Sequence, residues 1–282
     1  MSRIVSVSTA IFDGYDLDDA LKELAESGVE YVEPAFIKGY MGEFDETFFS
    51  SDEADKVRRK LDRFGLKCLA VSCHMDLGAP DATRLFARRM IFAKTIGAGI
   101  IISNSSKRTT RDRFILNIRE LAQRADDLGL MIGLENPGHG ADDLIPYGAD
   151  GMHLLDEIGA ASVWLNYDVG NIHSYNHGRI DIAVDIAKAR PRIAHVHFKD
   201  IADAGSAWRF CGIGKGDINW QNVMATLSEY GPELPLALEI PLRLTRPGYA
   251  DPVRRRQIVS RSTIRAELRD SLEFVRSFHP QS

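Results

Sequence analysis

Three cysteines, Cys68, Cys73 and Cys211, are odd in number and not spaced as a disulfide frame or a zinc motif. Reduced thiols in a cytoplasmic setting are the expectation. No apolar run approaches the roughly 18 residues that a membrane helix needs. The stretch MSRIVSVSTAIFDGYD has no small-residue cleavage site, so no secretory leader is read there. The net charge is −5, and there is no basic tail or stripe, which argues against a nucleic-acid partner. No G-x-G-x-x-G follows the first apolar run, where TAIFDGYDL stands, so a dinucleotide-binding Rossmann unit is not expected. Linker-like and low-complexity segments are also missing.

What is present is a 282-residue chain, 44% hydrophobic and 27% charged, an ordinary globular composition. Apolar runs alternate with amphipathic stretches from end to end. Strands are expected at 4–10, 29–36, 66–74 and 99–105, and helices at 16–27, 51–64, 81–96 and 110–128. Gly28, Gly65, Gly97 and Gly129 close these helices in the place of a left-handed cap. The pattern continues through MIGLE, VWLNYD, IAHVH and LALE, with helices near 150–158, 178–189 and 219–230. Gly159, Pro191 and Gly231 end those three, and a last helix covers 262–278. Continuously apolar strands are strands buried on both faces. Eight such βα units predict a closed (β/α)8 TIM barrel, an α/β fold spanning 1–282 as one domain. The Pro/Arg-rich stretch 241–256 reads as a long loop after the last strand.

The four later runs share one property. Each stops at a hard-cation ligand: Glu135, Asp168, His197 and Glu239. Singly, each has an ordinary explanation, such as a helix cap, a turn or a satisfied histidine. Together they fall on strands five to eight, at the same mouth of one barrel. A cluster of buried carboxylates needs a cation or extensive hydrogen bonding. Two Glu, one Asp and one His can hold a divalent metal, and they place two carboxylates beside it for proton transfer.

The local sequences LEN at Glu135, YDVGN at Asp168, HVHFKD at His197, GIGKGDINW at 212–220 and LEI at Glu239 resemble the xylose isomerase-like barrel superfamily. Within it they resemble the sugar phosphate isomerase/epimerase branch, over essentially the whole chain. The resemblance implies that Glu135, Asp168, His197 and Glu239 hold one divalent metal ion, Mn, Mg, Co or Zn. It implies that Glu135 and Glu239 are the acid/base pair and that His195 supports the site. Lewis-acid polarisation of an α-hydroxy ketone and removal of the proton between its oxygens give an enediolate. Return of the proton to the opposite face gives an epimer, and return to the neighbouring carbon gives an isomer. Expulsion of a β-hydroxyl makes the enzyme a dehydratase instead.

The resemblance extends to substrate contacts. Arg209, just before the Gly-x-Gly turn, corresponds to an arginine that grips a substrate oxygen; its ordinary alternative is a surface arginine. Lys199 and Asp200 resemble the family's Lys-Asp pair. His74, at the end of the third strand, faces the same mouth. Glu33, at the end of the second, is read as a carboxylate behind the ligands. Asn171 is a departure, since many family epimerases have a substrate-contacting histidine three residues after the metal aspartate. An asparagine hydrogen-bonds but carries no proton or charge. Lys215 lies in a Gly-rich turn that can meet a phosphate, but a solvated lysine is the simpler reading. His139, His153, His173 and His177 lack ligand spacing.

The leading expectation is a metal-dependent isomerase or epimerase of a sugar or related α-hydroxy ketone. The competing reaction on the same site is dehydration of a keto-cyclitol such as an inosose, or of 3-dehydroshikimate. An abasic-site endonuclease shares the barrel but needs a three-metal cluster, and here Asn171 replaces one such histidine. A silent sugar-binding barrel conflicts with the intact ligand set. The expected partners are a sugar or cyclitol and, in a homo-oligomer, a second copy; nucleic acid and membrane are not expected.

Overall fold

The structure, a computed structural model, describes residues 3–39, 44–138 and 142–278. Its centre is a ring of parallel strands. Seven are single: Val5–Ser8, Tyr31–Glu33, Ile100–Asn104, Met131–Glu135, Val163–Asp168, Ile193–Phe198 and Leu236–Leu238. The first pairs with the last, Val5 opposite Leu236, which closes one side of the barrel.

The third strand is broken at Leu69. Its first piece, Lys67–Cys68, pairs with the second strand, and its second piece, Ala70–Ser72, pairs with the fourth. The Leu69 carbonyl accepts from the Gly99 and Ile100 amides, at 2.8 and 3.1 Å. A parallel bridge between Ala35 and Ser72 joins the two halves of the ring above the break. The eight-position barrel expected from the sequence is therefore present, with one strand delivered in two segments.

Helices cover the outside: Leu17–Glu26, Ser51–Phe64, Ala82–Ile96, Arg111–Leu128, Gly148–Ile158, Ile182–Ala189, Trp220–Tyr230 and Arg261–Ser277. Their apolar faces and the outward faces of the strands form one large core. Gly65, Gly97, Gly129 and Gly159 adopt the expected left-handed caps. Gly231 does not, with φ −157°. There the requirement is space, since a Cβ would meet Leu234 Cδ1 at 2.6 Å and Arg190 Nε at 2.9 Å.

Two features depart from the sequence reading. A short extra helix, Val169–Tyr175, begins directly after Asp168, whose Oδ1 accepts from the Asn171 amide at 2.7 Å. The stretch read as a loop, 241–256, contains two strands, Leu244–Pro247 and Val253–Arg254. They join Asp200–Asp203 and Ala207–Cys211 in a four-stranded antiparallel sheet. This cap sheet has its own apolar cluster of Ile201, Trp208, Phe210 and Leu244. Among the described residues no helix is long and apolar enough to cross a membrane.

Candidate active site

Side chains alternate along a strand, so residues two apart share a face. On the strand Ile193–Phe198 that rule sends His195 and His197 to the same side, and both are fully buried with ring centroids 5.4 Å apart. Strand register then sets the level of the other groups. Asp168 is paired directly with His197, and Glu135 with Asn166. Glu239 follows the last strand, its amide bonded to the Phe198 carbonyl at 2.9 Å. Ligand atoms of Glu135, Asp168, His197 and Glu239 all lie within 4.8 Å of one another.

His197 Nδ1 is the focus. It stands 3.0 Å from Glu135 Oε2, 3.0 Å from Glu239 Oε2 and 3.7 Å from Asp168 Oδ2. Despite those distances, neither His197 Nδ1 nor Glu239 Oε2 makes an aligned hydrogen bond. Two buried polar atoms thus converge without satisfying each other. Atoms that share one acceptor centre in this way fit coordination to a cation better than mutual hydrogen bonding.

The charge balance points the same way. Glu33, Glu135, Asp168 and Glu239 are all buried, and Lys199 is the ammonium among them. Lys199 Nζ lies 2.5 Å from Asp168 Oδ2 and 2.9 Å from Glu239 Oε2. Burial opposes a charge on His197, but the Glu33 and Glu135 carboxylates outweigh it and hold its pKa well above the ordinary imidazole value. For His195, burial dominates and pulls its pKa down to about 4, so it stays neutral. With a cation bound, His197 would be neutral at Nδ1, the ion taking the place of that proton, so Lys199 alone matches one of the four negative charges. His74 Nε2 lies 3.5 Å from Glu135 Oε2 as well. A divalent cation suits the remaining deficit, and the oxygen-rich donor set with one imidazole suits a hard or borderline ion.

Each of these groups is held from behind. Glu33 Oε1 lies 3.0 Å from His197 Nε2 and accepts from Ser72 Oγ at 2.9 Å. Burial raises the Glu33 carboxyl, but the neighbouring His197 and His195 outweigh it and keep it below the usual range. Glu135 accepts from Asn166 Nδ2 at 2.8 Å and from Asn171 Nδ2 at 2.9 Å. Asn166 Oδ1 is in turn 2.8 Å from His195 Nδ1, which gives His195 its supporting place. Asn136 ties the backbone of Asp168 down twice, at 2.8 and 3.0 Å.

A cavity of about 560 Å³ opens over this cluster. Glu135 and Glu239 line it, together with His74, Asn171, Lys199 and Arg246. Of the residues expected to touch substrate, His74, Asn171 and Lys199 are therefore at the cavity. Arg209 is not. It is exposed, on the outer face of the cap sheet opposite Thr245. The next pair along, Trp208 and Arg246, turns inward, and both are buried. Arg246 lies in the stretch that the sequence reads as a loop, and the alternation buried, intermediate, buried, exposed along Leu244–Pro247 emerges only with the strand in place.

The remaining expectations resolve locally. Asp200 is buried and organises the Gly-rich turn, accepting from the Gly214 and Gly216 amides and from Trp220 Nε1. Those amides are thus spent on Asp200, and Lys215 pairs with Glu267 and Asp270 at 3.0 and 2.8 Å. His153 is exposed, His173 packs on Trp208, and His177 lies beside Tyr249. His139 lies outside the described residues. Among the described residues the one other group with ligand spacing, Glu33, His195 and His197, shares His197 with the first.

Comparison with known proteins agrees with this architecture. Residues 21–277 match the family described as xylose isomerase-like TIM barrel. A D-psicose 3-epimerase from Enterocloster bolteae is 27% identical over 123 residues, a match that spans 42% of this chain and only 40% of that relative. A D-psicose 3-epimerase from Clostridium cellulolyticum H10, solved with D-tagatose, superimposes with a TM-score of 0.76 at 15% identity, covering 98% of this chain and 99% of that one. A probable 3-DHS dehydratase from Bacillus anthracis superimposes with a TM-score of 0.67 at 16% identity, covering 98% of each chain. At such identities the structural likeness speaks for the fold. With the family match spanning nearly the whole sequence, the chain belongs to the xylose isomerase-like TIM barrel family.

Proposed function

We propose that the protein is a divalent-metal-dependent epimerase or isomerase of a sugar or related α-hydroxy ketone. The observation that carries this reading is the position of Glu135 and Glu239. Both line the cavity, and both belong to the cluster with Asp168 and His197. The similarity to a D-psicose 3-epimerase adds support. A cation held by the four residues would supply Lewis-acid polarisation of the substrate's carbonyl and hydroxyl oxygens.

The chain's own groups then handle the proton. One glutamate takes the C–H proton between the two oxygens, and the electron pair passes into the enediolate. The other glutamate returns a proton to the opposite face. Where Glu239 is the acid, its proton comes from solvent or from Lys199 Nζ, 2.9 Å away. Asn166 and Asn171 hold Glu135 from two sides, which fixes the carboxylate for transfer. His74, on the same cavity wall, is available to a substrate hydroxyl.

The test is a screen of ketoses, cyclitols and keto acids with the Mn2+-loaded protein, followed by product analysis. Formation of an epimer or an aldose–ketose pair supports the proposal. An enone or enediol product formed with loss of water replaces it with the dehydratase reading, which uses the same residues.

A further inference from the structure

Arg246 is 1% exposed and lines the cavity, yet among the described residues it has no anion. Its Nε and Nη1 make no hydrogen bond. Its Nη2 reaches Asn171 Oδ1 at 3.4 Å, a long contact with a neutral acceptor. The guanidinium also lies 5.7 Å from the Phe210 ring centroid, a weaker compensation. A buried guanidinium with two unused donors is costly unless something completes it.

Its place is held firmly. The cap-sheet register sets Arg246 opposite Trp208 on the inner face. Gly138 leaves it room, since a Cβ there would come within 2.2 Å of Arg246 Nη2. Asn171 Oδ1 sits between the two cations, 3.3 Å from Lys199 Nζ and 3.4 Å from Arg246 Nη2. Asn171 also donates to Glu135. Arg246 is therefore one side chain away from the proposed acid/base group.

We infer that the substrate carries an anionic oxygen group, a carboxylate or a phosphate, and that Arg246 holds it. The planar fork of an arginine matches either group with two parallel N–H donors. The inference rests on the proposed enediolate chemistry of the same site and narrows its substrate class: neutral ketoses are poor substrates, and acidic or phosphorylated ones are preferred.

Two arms test it with the Mn2+-loaded protein. The first is binding without turnover, by calorimetric titration of acetate and of inorganic phosphate into wild type and Arg246→Gln. The preferred anion is expected to lose at least about tenfold in affinity in the variant. Equal affinity in both proteins overturns the inference whatever the kinetics show. Should Gln weaken the fold, Arg246→Lys keeps the charge without the fork, and the same loss is expected.

The second arm uses matched triplets built on fructose, psicose, sorbose and tagatose: the neutral ketose, its C6 carboxylate and its C6 phosphate. The expected result is a charged-over-neutral preference in kcat/KM for solvent deuterium exchange that collapses towards one in Arg246→Gln. Preference within the charged pair separates carboxylate from phosphate. Neutral ketoses exchanging as well as their charged partners would overturn the inference and leave the enediolate proposal standing. Arg246-dependent anion binding with no exchange in any triplet would do the reverse.

Discussion

Glu33 stands directly behind His197, its Oε1 3.0 Å from the imidazole Nε2. A carboxylate in that place holds a proton on Nε2 and turns the Nδ1 lone pair towards Glu135, Asp168 and Glu239. Glu33→Gln keeps the shape but loses the charge that fixes the tautomer. Mn2+ affinity is expected to fall by about 10–100-fold. Titration of the metal-free proteins measures it, and equal affinities would remove Glu33 from the account.

Metal should also stabilise the fold. With free Mn2+ at about 100 times its Kd, linkage adds about 2.7 kcal/mol. For a chain of this size, with an unfolding entropy of about 0.6 kcal/mol/K, that raises the thermal midpoint by about 5 °C. Chelation should reverse the shift, and His197→Ala should abolish it. A midpoint that ignores divalent metal in the wild type would contradict the ligand assignment.

Asp200 tests the cap rather than the chemistry. Its carboxylate accepts from the Ile201, Gly214 and Gly216 amides and from the Trp220 indole, at 2.7 to 3.0 Å. Asp200→Ala strands these donors, each worth about 1–3 kcal/mol when buried. A loss of about 3 kcal/mol or more is expected in urea unfolding, with the Gly212–Gly216 turn loosened first. A change under about 1 kcal/mol would mean that water replaces the carboxylate there.

Thiol reactivity gives a pH test. Burial pushes the Cys73 and Cys211 thiols up to about 12. A raised thiol pKa means less thiolate at any given pH, about one part in ten thousand at pH 8. Alkylation of the native protein should be slow at pH 8 and accelerate as pH approaches 12. In guanidinium, ordinary rates should return. A native thiol that reacts at the unfolded rate would show that its burial is not maintained in solution.

The barrel and the clustering of four polar strand ends were legible because both arise from local patterns. Continuous apolar strands report burial on two faces, and a polar residue that ends such a run reports the mouth. Glu135, Asp168, His197 and Glu239 all carry that signature. The cap sheet was not legible. Its strands are four residues or fewer at Leu244–Pro247 and Val253–Arg254, and Pro and Arg dominate the stretch. The pairing of Leu244–Pro247 with Ala207–Cys211 is set across more than thirty residues of chain, which no local pattern records. The outward turn of Arg209 and the inward turn of Arg246 were hidden for the same reason, since the pleat is visible only once the register is known. Asn166 and Asn136 were missed for a related reason: they act on Glu135 and Asp168 across strands.

The central claim is that Glu135 and Glu239 exchange a proton α to a carbonyl beside a cation that they help to hold. Deuterium uptake from D2O into a turned-over substrate, read by mass spectrometry, tests it most directly. The account predicts one non-exchangeable deuteron in the Mn2+-loaded wild type, none after chelation, and a loss of at least about 100-fold in Glu239→Gln. Turnover with undiminished uptake in Glu239→Gln, or turnover without any deuterium in the wild type, would contradict it.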